Sequence, residues 1–383
     1  MSAFLMRIQQ AKDNFKHGDF ALAERQLIDC ILDSNEIGLF KKMLQGLDAK
    51  DLAGEWTEKA FIELCSALEQ FAPQMPQITP KTTLMKVDQI GKRYHKSGFT
   101  IAPLSFEVHY GQVIGLVGEN GNGKTTLLRL LCKDLKPDIG QLHYAAEANS
   151  KSVFELRSQL VYIPQRVPRW FGSLMDNLYF TLSCHGITGE FNQLMAELMV
   201  ARLGLRPFRQ HKWTEISSGY RTRFELAKSL LRQPELMLLD EPLSNLDIIS
   251  QQTILQDLKS LSMSLRRPFG LVLSSQQLYE VEKISDLVIF LKQGQAQYQF
   301  KQDSQAQADT NLIIEIEGSF EREALQSCLS HCNIKDIQFN GGVYVLSFET
   351  STQIHDVFKA IADHQLPVQY IRNITHSSRR FFI

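Results

Sequence analysis

The side chains of this chain best placed to do chemistry are a lysine, two threonines and a pair of carboxylates. Lys124, Thr125 and Thr126 end the run Val113 to Thr126, Val-Ile-Gly-Leu-Val-Gly-Glu-Asn-Gly-Asn-Gly-Lys-Thr-Thr. Gly118, Gly123, Lys124 and Thr125 fit the P-loop spacing of glycine, any four residues, glycine, lysine, then serine or threonine. Phosphate recognition needs these types. A backbone must curl closely enough for the N–H groups of Gly118, Glu119, Asn120, Gly121, Asn122 and Gly123 to face phosphate oxygens, and glycine permits that approach. Lys124 would reach the terminal phosphates, and Thr125 would place its hydroxyl on Mg²⁺. The spacing implies a bound nucleoside triphosphate.

Far downstream, Asp240-Glu241 ends the apolar run Leu236 to Leu239. Asp240 is a candidate Mg²⁺ ligand, and Glu241 is placed to polarise an attacking water. These groups converge only if neighbouring strands carry them. Val113 to Val117 reads as a buried parallel strand, followed by a turn and a helix over Thr125 to Leu131. That helix aims the positive end of its dipole at the same anion. Leu236–Leu239, Val161–Ile163, Leu271–Leu273 and Leu287–Phe290 read as further strands, with residues 172–232 mainly helical between them. The alternation predicts an α/β domain with a largely parallel sheet.

Two other regions flank this domain. Residues 1–75 read as four helices, with Phe4, Ile8, Ala11 and Phe15 on the first and His17-Gly18-Asp19 as the break before the second. The fourth carries Trp56, Ala60, Leu64, Ala67 and Phe71, with Phe61 and Leu68 widening the stripe. A small helical bundle is expected. Pro73, Pro76 and Pro80 mark a linker to the nucleotide-binding α/β domain over 82–300, and polar Lys301–Thr310 marks a second. Residues 311–383 follow a βαββαβ order, with a hairpin across Asn340-Gly341, as in a ferredoxin-like module.

Composition narrows the function classes. The 383 residues are 44% hydrophobic and 22% charged, which is ordinary for a globular protein. A net charge of −1 supplies no footprint for nucleic acid, so no nucleic-acid partner is expected. No apolar run nears the ~18 residues of a membrane span, and the N-terminus, polar again by Gln9, is not expected to act as a signal peptide. Six scattered cysteines suit a reducing compartment. Cys328, His331 and Cys332 are expected on one helical face, too few for a metal site.

The segment before the acidic pair, Ile216-Ser217-Ser218-Gly219-Tyr220-Arg221, precedes a helix striped by Phe224, Ala227, Leu230 and Leu231. Here the chain resembles the nucleotide-binding domain of the ATP-binding cassette (ABC) ATPases over about residues 83–298. The resemblance implies ATP and Mg²⁺ as ligands. It implies that Tyr94 stacks on adenine and that Gln165 joins Mg²⁺ to the attacking water. It also implies that Ser217, Ser218, Gly219 and Tyr220 form the signature loop, and that Ser244-Asn245-Leu246-Asp247 is the D-loop. Three positions depart from the family: Ser218 and Tyr220 replace glycine and glutamine in the signature, and Gln276 stands where the family has a catalytic histidine. Glutamine can donate to a γ-phosphate but cannot carry imidazolium charge.

The fold class expected is therefore a P-loop NTPase ABC domain with an N-terminal helical bundle and a C-terminal ferredoxin-like α+β module. The expected function is the ATP-hydrolysing subunit of an ABC transporter. It would dimerise head to tail, as a homodimer or heterodimer, and sit in the cytoplasm against the membrane by docking on a separate permease. Ser-Ser-x-x-Leu-x-Glu-Val-Glu at 274–282 resembles exporter ATPases, and Trp170-Phe171 is a candidate anchor for the permease. The alternative is a regulatory ATP-binding module with slow turnover.

Overall fold

The computed structural model describes residues 2–75, 83–96, 98–145, 153–244, 246–301, 311–349 and 351–375. The chain folds as two compact units, one of Met1–Gln276 with Ile289–Gln297 and the other of Gln277–Val288 with Tyr298–Ile383. Most of the two expected linkers, and Asn245, lie outside the described residues.

The first unit opens with helices α1 (Ala3–Lys16), α2 (Phe20–Ser34), α3 (Ile37–Ala53) and α4 (Glu58–Phe71). Ser2, Asp19, Glu36 and Thr57 each accept a backbone N–H at the start of their helix, which meets part of the need of an open N-terminus. Gly18, at φ 82°, makes the break that its sequence suggested. The stripe of α4 is rotated from expectation. Phe61, Leu64, Cys65 and Leu68 are its buried residues, because the core centres on the stacked rings of Phe15 and Phe61, 4.2 Å apart.

Strands β1 (Thr83–Arg93), β2 (Thr100–His109) and β4 (Ile139–Tyr144) make an antiparallel sheet in the order β2-β1-β4. Between them run β3 (Val113–Val117) and α5 (Lys124–Leu131), strand and helix of the P-loop. After α6 (Val153–Gln159) come β5 (Leu160–Ile163), α7 (Leu174–Cys184), α8 (Gly189–Arg202) and α9 (Ser218–Leu231). Then follow β6 (Leu236–Leu239), α10 (Ile248–Ser262), β7 (Gly270–Ser275), α11 (Leu278–Glu282), β8 (Leu287–Lys292) and β9 (Gln295–Lys301).

The second sheet has the order β5-β6-β7-β3-β8-β9, with β5, β6, β7 and β3 parallel. β3, β6 and β7 are buried along their whole length, as continuous apolar strands covered on both faces must be. Because these strands are parallel, their C-terminal ends open on one edge. That edge carries the P-loop after β3, Asp240-Glu241 after β6 and Ser274-Ser275 at the end of β7, the place where open α/β sheets hold ligands.

In the second unit, β10 (Ile313–Gly318), α12 (Arg322–Cys328), β11 (Ile334–Asn340), β12 (Val343–Phe348), α13 (Ile354–Asp363) and β13 (Val368–Asn373) form an antiparallel sheet ordered β11-β12-β10-β13. This is the ferredoxin-like order. Gly341 and Gly342 close the β11–β12 hairpin at φ 61° and 94°, a turn both glycines permit. α12 is shorter than expected and stops at Cys328. Cys328 and Cys332 pack in the core of this module with Leu325, Ile314 and Phe348.

Candidate nucleotide-binding site

The P-loop owes its course to glycines that no other residue could replace in place. A Cβ on Gly118 would lie 2.3 Å from the Leu291 carbonyl oxygen. Gly123, at φ 99°, would set one 2.9 Å from Phe99 Cζ. The loop therefore passes close under neighbouring backbone and side chain before α5 begins at Lys124.

Lys124 is buried, with 5% of its surface exposed. Its Nζ donates to the carbonyls of Gly118 at 2.6 Å and Glu119 at 3.2 Å, and pairs with Glu241 Oε1 at 3.0 Å. The glutamate contact is an ion pair without an aligned hydrogen bond, and no hydrogen bond satisfies this buried oxygen. Glu241 also sits at φ 50°, a left-handed conformation that costs a non-glycine residue energy and concentrates at functional sites.

Asp240, 4% exposed, is held by hydroxyls alone. Thr125 Oγ1 and Tyr162 OH donate to its Oδ2 at 2.7 and 3.2 Å, and Ser274 Oγ donates to Oδ1 at 2.7 Å. Burial, and then the Asp240 charge, push the Tyr162 hydroxyl well above the usual phenol range, so it stays a donor. Among the described residues no lysine, arginine or histidine pairs with Asp240. The cluster thus sets two carboxylates, Asp240 and Glu241, against one ammonium, leaving a net negative charge beside a cationic loop and a helix N-terminus. A hydroxyl and a carboxylate 2.7 Å apart are hard oxygen donors of the kind Mg²⁺ takes, and the spare charge favours a cation there. The residues fit a magnesium nucleotide.

The remaining expected residues are placed around this centre rather than in it. Gln165 is exposed on a bend after β5, and Gln276 is exposed on a bend after β7. Neither has a described hydrogen bond to Asp240 or Glu241. Tyr94 lies half-exposed after β1, where its N–H bonds to Phe99 O at 2.8 Å. A cleft of about 410 Å³ runs from Phe99 past Asn120, Gly121 and Asn122 to Gln293. Thr126 is half-buried in the first turn of α5.

Exposed Ser217 caps α9, with its Oγ accepting from Tyr220 N, and Ser218 beside it is exposed. A Cβ on Gly219 would lie 3.1 Å from Leu246 Cδ2, so the signature and the D-loop are adjacent. Tyr220 packs on Phe208 with ring centroids 3.8 Å apart. Asp247 caps α10 through Ser250 N at 2.9 Å; the Ser250 hydroxyl bond, and then this backbone bond, hold its carboxyl below the usual range.

One expectation is corrected: Trp170 is no anchor. It is 5% exposed, stacked on Trp213 at 4.9 Å, with its indole N–H bonded to Glu225. Phe171, 79% exposed, does project.

Tyr162, Ser274, Phe99 and Gln251 escaped the sequence reading. Gln251 is buried and donates to the Leu243 and Leu246 carbonyls, holding the D-loop backbone. Ser274 is the first of two serines that end an otherwise apolar strand, a trace that names no partner.

A family profile described as ABC transporter matches residues 101–244. A protein of Escherichia coli strain K12 named as the probable multidrug ABC transporter ATP-binding protein YbhF is 30% identical over 246 residues. That match covers 63% of this chain and 42% of the relative, so this chain spans less than half of that relative's length. A putative peptide import ATP-binding protein of Brucella ovis, BOV_A0347, is 30% identical over 226 residues, covering 56% of this chain and 71% of the relative. The solved structure of cbiO1 from Clostridium perfringens, described as part of the ABC transporter complex cbiONQ, superposes with a TM-score of 0.51 at 20% identity. It covers 57% of this chain and 88% of that one, a likeness of fold.

Proposed function

Because this chain belongs to the family of ABC transporter ATP-binding proteins, we propose that it binds and hydrolyses ATP with Mg²⁺ to energise a separate membrane permease, in the export direction. The observation that carries the reading is the convergence of Lys124, Thr125, Asp240 and Glu241 at one edge of the parallel sheet. The P-loop N–H groups and Lys124 would hold the phosphates, and Thr125, Asp240 and Gln165 would hold the metal. Mg²⁺, when bound, supplies charge that stabilises the leaving and transferred phosphate oxygens. Glu241, once Lys124 turns to phosphate, would take the proton of the attacking water. Gln276 would donate to the γ-phosphate without contributing charge. Tyr94, with Phe99 beside it, would form the platform for the base.

Residues 82–300 would be the ATPase domain, with 1–75 and 311–383 as appended assembly or regulatory domains. The exposed signature serines, Asp247, Ile248 and Ile249 would face a second ATPase domain head to tail. Phe171 and Phe180, 79% and 69% exposed, would receive a cytoplasmic helix of the permease. Among the described residues no helix is long and apolar enough to cross a membrane, which is why the membrane contact is assigned to a partner. Export rests on the 274–282 run and on the relative named for multidrug transport. Mg²⁺-dependent ATP turnover by the purified chain tests the activity. Recovery of a permease with the tagged chain from solubilised membranes tests the partner. No turnover, with nucleotide still bound, would favour instead a regulatory ATP-binding module, the reading that Gln276 supports.

A further inference from the structure

Strand β7 lies between β6 and β3 in the sheet, so its C-terminal end stands between the acidic pair and the P-loop. Register places Leu273 beside Leu239 and Leu116 beside Ser274. Ser274 thus follows the last paired residue of β6 and faces Asp240. It is fully buried. Its hydroxyl is used twice: Oγ donates to Asp240 Oδ1 at 2.7 Å and accepts from Glu241 N at 2.9 Å. The next residue continues the link, since Ser275 O accepts from Gly118 N at 3.4 Å.

We infer that Ser274 is a positioning residue that sets Asp240 and Glu241 in the geometry for metal binding and water activation; the inference rests on the ATPase reading above. One hydroxyl fixes the side chain of the first acid and the backbone of the second. Asp240 has one oxygen turned to Thr125 and Tyr162, and Ser274 keeps the other from rotating into that place. Glu241 holds a left-handed backbone that its own type disfavours; its N–H is anchored by Ser274, while its carbonyl accepts from Ser244 N at 3.1 Å. An alanine would leave a buried carboxylate oxygen and a buried N–H without a partner at once. Both acids would then be free to relax.

The test measures wild type, Ser274→Ala and Ser274→Thr in the full chain by steady-state ATP hydrolysis, Mg²⁺ titration and binding of a fluorescent ATP analogue in EDTA. The inference predicts that Ser274→Ala lowers kcat tenfold or more and raises the Mg²⁺ requirement several-fold. Metal-free nucleotide binding should stay within twofold of wild type, and Ser274→Thr should restore most of the rate. Should Ser274→Ala not fold, Ser274→Cys, which keeps the volume with a weak donor, is expected to show the same split between kcat and metal-free binding. Wild-type kcat and Mg²⁺ dependence in Ser274→Ala, or in Ser274→Cys in its place, would overturn the inference. Absence of turnover in the wild type would instead overturn the ATPase reading. In that event Ser274 is still judged by the Mg²⁺ dependence of nucleotide binding, which the alanine must weaken.

Discussion

Two of the buried ionic clusters among the described residues of the first unit are built to opposite rules. At the junction of the N-terminal helices with α8 and α10, Arg202 is 2% exposed and lies between two aspartates. Its Nε and Nη2 donate to Asp29 at 2.5 and 3.1 Å, and its Nη1 to Asp257 at 2.6 Å. Ser260 adds a bond to Asp29, and Arg25 stands 3.5 Å from Asp257. Two arginines meet two carboxylates and the charges cancel, although Arg25 Nε is buried without a hydrogen bond. In the P-loop cluster one lysine meets two carboxylates, Asp240 is held by hydroxyls alone, and Glu241 keeps a buried oxygen without a hydrogen bond. A closed cluster fixes one element against another. An unbalanced cluster on a strained residue stores an unmet electrostatic demand, which is what a ligand answers.

Substitutions can break this contrast at either end. Glu241→Gln removes the proposed base while nearly preserving shape. It should lower ATP turnover by about 10²–10⁴-fold with unfolding little changed, read by steady-state kinetics beside a urea melt. Arg202→Ala does the reverse. It strands Asp29 and Asp257 in the interior and should cost about 3–5 kcal/mol of stability, measured by chemical denaturation, while nucleotide affinity of the folded protein holds. If Arg202→Ala were neutral in stability, the junction would not be the closed cluster described here.

Smaller effects sharpen the comparison. Tyr94→Ala should weaken binding of a fluorescent ATP analogue by about 1–3 kcal/mol, the worth of stacking one base. A greater loss in Phe99→Ala would transfer that role to the ring packed on Gly123. Gln276→His is expected to have the smallest effect, a several-fold gain in turnover below the imidazole pKa, because it adds a charge the site otherwise lacks. Unchanged rates across pH 6 to 8 would remove Gln276 from the γ-phosphate.

The two clusters also differ in how far the amino-acid sequence reveals them. Gly118 to Thr126 and Asp240-Glu241 were legible because each sits in one short stretch where strand, turn and helix signals agree. Parallel pairing of the apolar runs then brings them together. The hydroxyls of Tyr162 and Ser274 were not legible, because their partners lie on other strands and a lone tyrosine or serine carries no spacing. The Arg202 cluster was wholly hidden. Helical periodicity shows which face of α2 is buried but not that Asp29 meets an arginine far along the chain. The same limit misplaced the α4 stripe, which keeps Leu64 but buries Phe61, Cys65 and Leu68 rather than Ala60, Ala67 and Phe71 beside the Phe15–Phe61 stack. Trp170 misled for a related reason, since its indole N–H finds Glu225 inside the fold.

If a magnesium nucleotide completes the P-loop cluster, metal and nucleotide must bind it together. Calorimetric titration of the full chain with ATP, once with Mg²⁺ and once in EDTA, tests it most directly, with Asp240→Asn alongside. Binding should be tighter with Mg²⁺ in the wild type, and Asp240→Asn should lose that increment. Equal affinity with and without the metal, or no binding of ATP at all, would contradict it.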